Sequence, residues 1–346
     1  MAHILMRCDG DATIGLGHVM RCLALGEALL EQGAEVTFLC RRCPDPIAKR
    51  IGEAGAAIEY LASAGTAAEA DEVIAEAQAR GAAAVVIDGY AFTPDFFARL
   101  DAAPGLRRVA IDDLMLPACR QADLIVNQNP HARAEDYAGC PGRLLLGLSY
   151  GILRREFRGG ARPERRFDQP VRRVLISCGG ADPANATTSA IQALDAMACD
   201  ALEVVALAGA ANPFMMELDG AAQLSRHDVA IVRNTAAMAH VMAWADIAIV
   251  AGGTTLWECA WAGLPTLALI VADNQAPGVE AFARAGGVIA LDWRRNAGPG
   301  RVKDALAPLF AAPALRARLS QTAAAQVDGL GAARVARAVL DLAAPP

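Results

Sequence analysis

The stretch HILMRCDGDATIGLGHVMRCLALGEALLEQG, residues 3–33, decides the reading of the fold. Its first six residues, His3–Cys8, form an apolar run of strand length. A glycine-bearing loop follows. From Val19 to Gln32 the residues Cys22, Leu23, Leu29 and Leu30 recur at helical core spacing, until Gly33 provides a natural stop. Strand, loop and helix in this order open a doubly wound parallel sheet.

The same grammar continues outward. Glu35–Cys40, Ala84–Asp88, Arg108–Asp112 and Asp123–Asn127 read as further strands, with helical periodicity over Asp71–Arg80 and Pro94–Ala103. A basic stretch with Pro and Gly, from Gly151 to Pro170, interrupts the pattern, and Val171–Ser177 starts it again. Strands are expected at Glu203–Ala208, Val229–Val232, Asp246–Ala251, Pro265–Val271 and Val288–Leu291, with helices after Arg301. Two α/β domains follow, 1–155 and 156–346, expected to face each other with a ligand beyond the C-terminal ends of their strands.

Composition narrows the function. The chain of 346 residues is 54% hydrophobic, largely through alanine, and 20% charged, which suits two helix-rich globular domains. A net charge of −6 with scattered Lys and Arg offers no stripe for a phosphate backbone, so no nucleic-acid partner is expected. Nine irregularly spaced cysteines and no export signal point to a cytoplasmic protein with reduced thiols. The longest apolar run, Ala260 to Ala272, contains Pro265 and is shorter than the roughly 20 residues of a membrane helix. Cys40-Arg41-Arg42-Cys43 has C-x-x-C spacing without a second pair, the other histidines stand apart, and no G-x-x-x-x-G-K-[ST] loop is present. No metal or other cofactor is expected. The oligomeric state is left open, with a monomer favoured.

Three segments can carry chemistry. Arg7-Cys8-Asp9, Gly15-Leu16-Gly17-His18 and Arg21-Cys22 straddle the end of the first strand and the start of the first helix. Gly15 and Gly17 let backbone approach a ligand, His18 projects from the first helical turn as a base kept neutral by the helix dipole, and Arg21 follows one turn on. Asp9 is the expected partner of the ring or of a sugar hydroxyl. The plainer reading is that His18 caps the helix and Asp9 closes the turn. Gly252-Gly253-Thr254-Thr255 after a strand builds an anion site from backbone amides, and Glu258 lies one turn on to accept ribose hydroxyls. Its plainer reading is a Thr254 cap and an exposed Glu258. Gly179-Gly180 form a third glycine-rich turn, with Asp182 and Pro183 also explicable as a cap and first helical turn. At strand ends Asp88, Tyr90, Asp112, Asp113, Asn274 and Gln275 could reach a sugar or cap the next helix.

The run Arg7–Cys22, with Ala251–Pro265 and Asp273-Asn274-Gln275, resembles the UDP-2,4-diacetamido-2,4,6-trideoxy-β-L-altropyranose hydrolases of pseudaminic acid biosynthesis. The resemblance extends through Ile87-Asp88-Gly89-Tyr90, Ile111-Asp112-Asp113, Asp123–Asn129 and Leu153-Arg154-Arg155-Glu156-Phe157. Its Gly-Gly-Thr-Thr and Glu258 portion is also similar to glycosyltransferases of the MurG type. Gly89 stands where the hydrolases often carry a larger residue. The resemblance implies a GT-B arrangement of two Rossmann-like domains, with UDP held by the second, no metal, and His18 activating water. It also implies that Tyr90, Arg154 and Asn274 surround the sugar and phosphates. Attack at the anomeric carbon opposite UDP inverts configuration and needs one base, since UDP leaves readily. The alternatives are transfer to an acceptor alcohol, or a sugar-nucleotide binding module without turnover.

Overall fold

A computed structural model describes the chain apart from residues 12–13, 64–66, 210–211, 234, 236, 296–297 and 345–346. It divides into two compact units, Met1–Arg158 with Gly329–Pro346, and Gly159–Asp328.

Unit 1 contains, among the described residues, strands β1 (His3–Cys8), β2 (Glu35–Cys40), β3 (Ala57–Tyr60), β4 (Ala84–Asp88), β5 (Arg107–Ile111), β6 (Leu124–Asn127) and β7 (Arg143–Leu146). Helices α1 (Gly17–Glu31), α2 (Asp45–Glu53), α3 (Ala67–Arg80) and α4 (Pro94–Arg99) connect them. Every neighbouring pair is parallel, in the order β3-β2-β1-β4-β5-β6-β7. Both faces of such a sheet are covered, which is why Ile4-Leu5-Met6 of β1 are apolar in succession rather than alternating with polar residues. On one face Val19, Cys22, Leu25 and Leu29 of α1 pack with Met6 and Phe38. On the other, Val73 of α3 and Phe96 and Phe97 of α4 pack with Leu5 and Val85. The order of strands reverses between β1 and β4, where connections depart to opposite faces and leave a crevice at the C-terminal ends. Cys8 is paired with Asp88 there, so the loops that follow β1 and β4 start side by side.

Unit 2 repeats the scheme with β8 (Arg173–Ser177), β9 (Glu203–Ala208), β10 (Asp228–Arg233), β11 (Ile247–Ala251), β12 (Thr266–Ile270) and β13 (Ile289–Asp292). They lie parallel in the order β10-β9-β8-β11-β12-β13. The helices are α5 (Ala186–Asp195), α6 (Met215–Leu224), α7 (Met238–Trp244), α8 (Thr254–Trp261), α9 (Ala276–Arg284), α10 (Pro299–Ala311) and α11 (Pro313–Gln326). The reversal falls between β8 and β11, where Ser177 pairs with Val250. Both glycine-rich turns of this unit therefore leave from adjacent strand ends.

The expected boundary at 155/156 is corrected at both ends. Residues 156–158 stay with unit 1, where Arg158 donates to Glu27 at 3.2 Å and Glu31 at 3.1 Å on α1. The last helix, α12 (Gly331–Ala343), also joins unit 1 rather than unit 2. Its buried stripe of Ala332, Val335, Ala336 and Val339 completes the core beneath α1. Gly331 lies so close to the carbonyl of Gly151 that a Cβ would sit 2.3 Å from it, so only glycine fits this crossing. Among the described residues no helix is long and apolar enough to cross a membrane.

Candidate functional site

The loop after β1 folds back onto α1. At Gly10 a Cβ would lie 2.6 Å from Val19 Cγ1, and Gly15 turns the chain with φ +86. Helix α1 starts at Gly17 without a side-chain cap among the described residues, so His18 is not spent on capping. Instead its Nδ1 meets Asp88 Oδ1 at 2.7 Å from the adjacent end of β4. Arg21, one turn on, grips the same carboxylate with Nε on Oδ2 at 2.8 Å and Nη2 on Oδ1 at 2.7 Å. Its Nη1 donates to both oxygens of Asp113 at 3.0 and 2.9 Å. The Tyr90 hydroxyl donates to Asp113 at 3.2 Å, and its ring stands edge-on to His18 with centroids 4.6 Å apart. Asn129 donates to Asp113 from the end of β6 at 2.8 Å. Four neighbouring elements thus deliver one network to the reversal point of unit 1.

The network fixes the tautomer of His18. Burial alone would raise the Asp88 carboxyl, but Arg21 and His18 carry it well below the usual carboxylate range. Asp88 is therefore ionised at neutral pH and can only accept. The proton of the 2.7 Å contact then sits on Nδ1, so in the neutral ring the lone pair is on Nε2. Nε2 has no hydrogen-bond partner among the described residues. A carboxylate that orients an imidazole in this way also stabilises the imidazolium formed on accepting a proton.

Three expectations for unit 1 are corrected. Asp9 neither orients His18 nor lies open to a sugar, because its Oδ1 accepts the amides of Arg41 at 2.6 Å and Arg42 at 3.0 Å, and its Oδ2 accepts Arg7 at 2.7 Å. Arg7, expected to contact substrate, is 1% exposed and enclosed by Asp9, Glu69 and the carbonyl of Leu39. It braces the loop after β1 against β2 and α3. Asp88, expected beside the sugar, is the buried partner of the imidazole. Of the two acids that end β5, Asp112 caps, accepting the amides of Leu114 and Leu116, while Asp113 faces Arg21. The sequence reading missed Glu69 and Asn129. Nothing in Glu69's helical surroundings marks it, whereas Asn129 stands just past a strand end, the same position that singles out Asp88 and Asp113. Arg154 lies near the end of unit 1, its guanidinium over the ring of Phe157 at 5.5 Å and 3.6 Å from Glu156.

In unit 2 the turn after β11 divides its glycines between two tasks. At Gly252 a Cβ would meet Val279 Cγ2 at 2.4 Å, so this glycine serves packing against α9. Gly253 has open space around its Cα and is the N-cap of α8, with no side chain capping among the described residues. Thr254 is thus the first helical residue rather than the cap. The Gly253 amide donates back to the Ala251 carbonyl at 2.8 Å, while the amides of the partly exposed Thr254 and Thr255 stand at the positive end of α8, the arrangement that receives anions. Glu258 is 2% exposed, which disposes of the surface-acid reading. Gln275 accepts the amide of Val271 at 3.0 Å and closes the turn before α9, with Asn274 half-buried beside it. In the turn after β8, Gly179 holds φ +99 at the surface. Asp182 accepts the amides of Ala186 and Thr187 at 2.9 Å each, so a carboxylate already occupies the start of α5. Helix α5 begins three residues after Pro183, which the cap reading had placed in its first turn. Cys40 and Cys43 are free thiols. Among the described residues no group of three or more His, Cys, Asp or Glu side chains is placed to hold a metal ion.

Residues 173–333 match the glycosyltransferase family 28 C-terminal domain. The chain is 22% identical to the spore coat polysaccharide biosynthesis protein SpsG of Bacillus subtilis, over 98% of both chains. It is 28% identical to the UDP-2,4-diacetamido-2,4,6-trideoxy-beta-L-altropyranose hydrolase of Campylobacter jejuni, over 53% of this chain and 62% of that protein. The crystal structure of Acinetobacter baumannii MurG aligns with 99% of this chain and 100% of its own, with TM-score 0.71 at 16% identity. The fold is of GT-B type, with two Rossmann-like parallel-sheet domains.

Proposed function

We propose that this chain is a UDP-sugar enzyme that moves the sugar from UDP to an acceptor hydroxyl, with His18 as general base. The observation that carries the reading is the 2.7 Å contact between His18 Nδ1 and an ionised Asp88, which leaves Nε2 as a proton acceptor. Nε2 takes the proton of the attacking hydroxyl as its oxygen bonds to the anomeric carbon. The carbon–oxygen bond to the diphosphate breaks, and UDP departs with the electron pair. Attack opposite the leaving group inverts the anomeric centre. General-base help of this kind contributes about 10²–10⁴-fold. Unit 2 supplies the nucleotide end: the amides of Thr254 and Thr255 take the growing charge on the diphosphate, and Glu258 takes the ribose hydroxyls. The match of residues 173–333 to a glycosyltransferase domain supports this assignment of unit 2.

A second reading replaces the acceptor with water, and the similarity to the Campylobacter jejuni hydrolase favours it. The half-chain extent of that similarity makes transfer the better supported of the two. One experiment separates them. A panel of UDP-sugars, including UDP-N-acetylglucosamine, is incubated with the protein with and without candidate acceptor alcohols, in ¹⁸O-labelled water. Transfer predicts UDP release that depends on acceptor; free sugar carrying ¹⁸O without acceptor establishes hydrolysis instead. In either case His18→Gln abolishes turnover and retains UDP binding. A His18→Gln protein that turns over at near the wild-type rate removes His18 from the mechanism.

A further inference from the structure

A row of thiols runs behind the pair of His18 and Asp88. Cys22 of α1 donates to Asp88 Oδ2 at 3.7 Å. Cys8 ends β1, where it is paired with Asp88 of β4, and Cys40 ends β2 on the other side, one place beyond the pairing of Arg7 with Leu39. All three side chains are buried in the core beneath α1, and Cys43 packs against the same core at its half-buried edge. Weak thiol–thiol hydrogen bonds join Cys22 to Cys8, Cys8 to Cys40 and Cys40 to Cys43.

The direction of these bonds is set from the Asp88 end. Ionised Asp88 can only accept, so the single Cys22 proton points at Oδ2. Cys22 then has only its sulfur lone pairs for Cys8, which donates to it, and Cys8 in turn accepts from Cys40. Each of the three keeps its proton at neutral pH, because each is pushed above the ordinary thiol range. For Cys8 the bond to Cys22 is the first cause, and for Cys22 it is burial. Cys40 is eased by Cys43 but carried up by its bond to Cys8 and by burial. The Cys43 proton has a choice between Cys40 and the carbonyl of Pro44 at 3.9 Å, so the fixed part of the row starts at Cys40.

We propose that Cys22 is a positioning residue for the base: its thiol, backed by Cys8 and Cys40 in a one-way chain, holds Oδ2 of Asp88 so that Oδ1 faces His18. This rests on the reading of His18 as general base. Asp88 is 1% exposed, so buried dipoles take the place of solvent, and three S–H groups aligned head to tail present their positive end to it. A thiol is a weak donor. It orients the carboxylate while withdrawing little of the negative charge that stabilises an imidazolium on His18. The other charged and titratable groups around the pair are Arg21 on α1, Tyr90 past β4, and Asp112, Asp113 and Cys119 past β5. Cys22→Ala and Cys8→Ala leave all of these in place.

The test combines infrared spectra of the S–H stretch with a ¹⁵N titration of His18, on the full chain. The proteins are wild type, Cys22→Ala, Cys8→Ala and Cys119→Ala. Cys119 is a buried thiol that feels the Asp88 charge but stands outside the row. Cys22→Ala is expected to remove one low-frequency S–H band and to move the Cys8 band to the free-thiol frequency, because Cys8 loses its acceptor. In Cys8→Ala it is the Cys40 band that moves, which tests the direction again in a second protein. Without the Cys22 donor the carboxylate holds the imidazolium more tightly, so the His18 midpoint rises, a change of about twofold to threefold in proton affinity. Cys8→Ala moves it the same way by less, and Cys119→Ala leaves it in place. A Cys8 band unchanged in Cys22→Ala shows that the row runs the other way and overturns the proposal. So does a His18 midpoint that Cys22→Ala leaves unmoved, or that Cys119→Ala displaces as far, since packing alone then accounts for the thiols. The acidic limb of the kcat profile for UDP release tracks the His18 midpoint if His18 is the base. A midpoint that moves while the limb stays fixed upholds the hold of Cys22 on Asp88 and defeats the general-base reading.

Discussion

Replacing Asp88 by asparagine probes the site at its centre, because the carboxylate serves four donors at once. Oδ1 accepts from His18 Nδ1 and Arg21 Nη2, both at 2.7 Å, and Oδ2 accepts from Arg21 Nε at 2.8 Å and Cys22 Sγ at 3.7 Å. An asparagine turns one of these oxygens into an NH₂ group, so an N–H must face an N–H whichever way the amide lies. Asp88 is 1% exposed, which leaves no room for water to mediate. With the NH₂ toward His18, the ring moves its proton to Nε2 and ceases to be a base, and kcat falls by about 10²–10⁴-fold with UDP affinity unchanged. Stability falls as well. Arg21 keeps its two bonds to Asp113, so the cost is near the lower end for a broken buried pair, about 3 kcal/mol. The pH dependence follows from the direction of the carboxyl's shift. Its folded value lies below its unfolded one, so the stability it contributes is fully present above about pH 4 and lost as pH falls through the folded value. Urea unfolding of wild type and Asp88→Asn from pH 8 to pH 3 should show a constant gap down to about pH 5 that narrows below about pH 4. A variant with kcat within threefold of wild type, or a gap that closes near neutrality, refutes the reasoning.

Two further perturbations separate architecture from binding. Gly252→Ala should cost about 1–3 kcal/mol through its clash with Val279, whereas Gly253→Ala, in open space, should melt within about 0.5 kcal/mol of wild type and lose UDP affinity roughly tenfold as a methyl enters the anion site. UDP titration decides, and undiminished affinity in Gly253→Ala places the diphosphate elsewhere. Glu69→Gln should destabilise by roughly 3 kcal/mol in urea unfolding, because it uncouples a fully buried pair, with UDP affinity unaltered; an unchanged unfolding midpoint shows that Asp9 and Leu39 suffice to hold Arg7.

The doubly wound core was legible because each buried parallel strand is an unbroken apolar run, as in Ile4-Leu5-Met6 and Ala248-Ile249-Val250. The short edge strands β3 and β7 were not legible: four residues each, with Leu145 alone buried among them, hold no period for a pattern to show. The return of α12 to unit 1 was equally hidden, since an amphipathic stripe declares that it packs but not against which domain. At the site, His18 and the glycine turns announce themselves through local spacing. Partnership does not. Asp9 is nine positions from His18 and turns to Arg7 and the β2 loop, while Asp88 is seventy away and lies alongside because β1 and β4 are ladder neighbours. Once the strand order is known, the choice between the two acids follows from the Cys8–Asp88 pairing alone.

Arg21 explains how a buried aspartate can serve a base. Desolvation pushes the Asp88 carboxyl upward, and Arg21, with His18 beside it, reverses that push. Without the guanidinium, a carboxyl at 1% exposure holds its proton more readily and can donate it toward His18 Nδ1. The imidazole then carries its own proton on Nε2, the wrong nitrogen. Arg21→Met, which keeps much of the side chain's length, should therefore lower kcat by about 10²-fold or more at neutral pH although it leaves both members of the dyad in place. Because the folded Asp88 value rises in the variant, the lost activity should return in part as pH increases. The ¹⁵N shifts of His18 report the exchange directly: Nδ1 protonated in wild type, Nε2 protonated in the variant. An Arg21→Met protein with the wild-type tautomer and the wild-type pH profile would show that Asp88 ionises unaided, and that the arginine only braces Asp113.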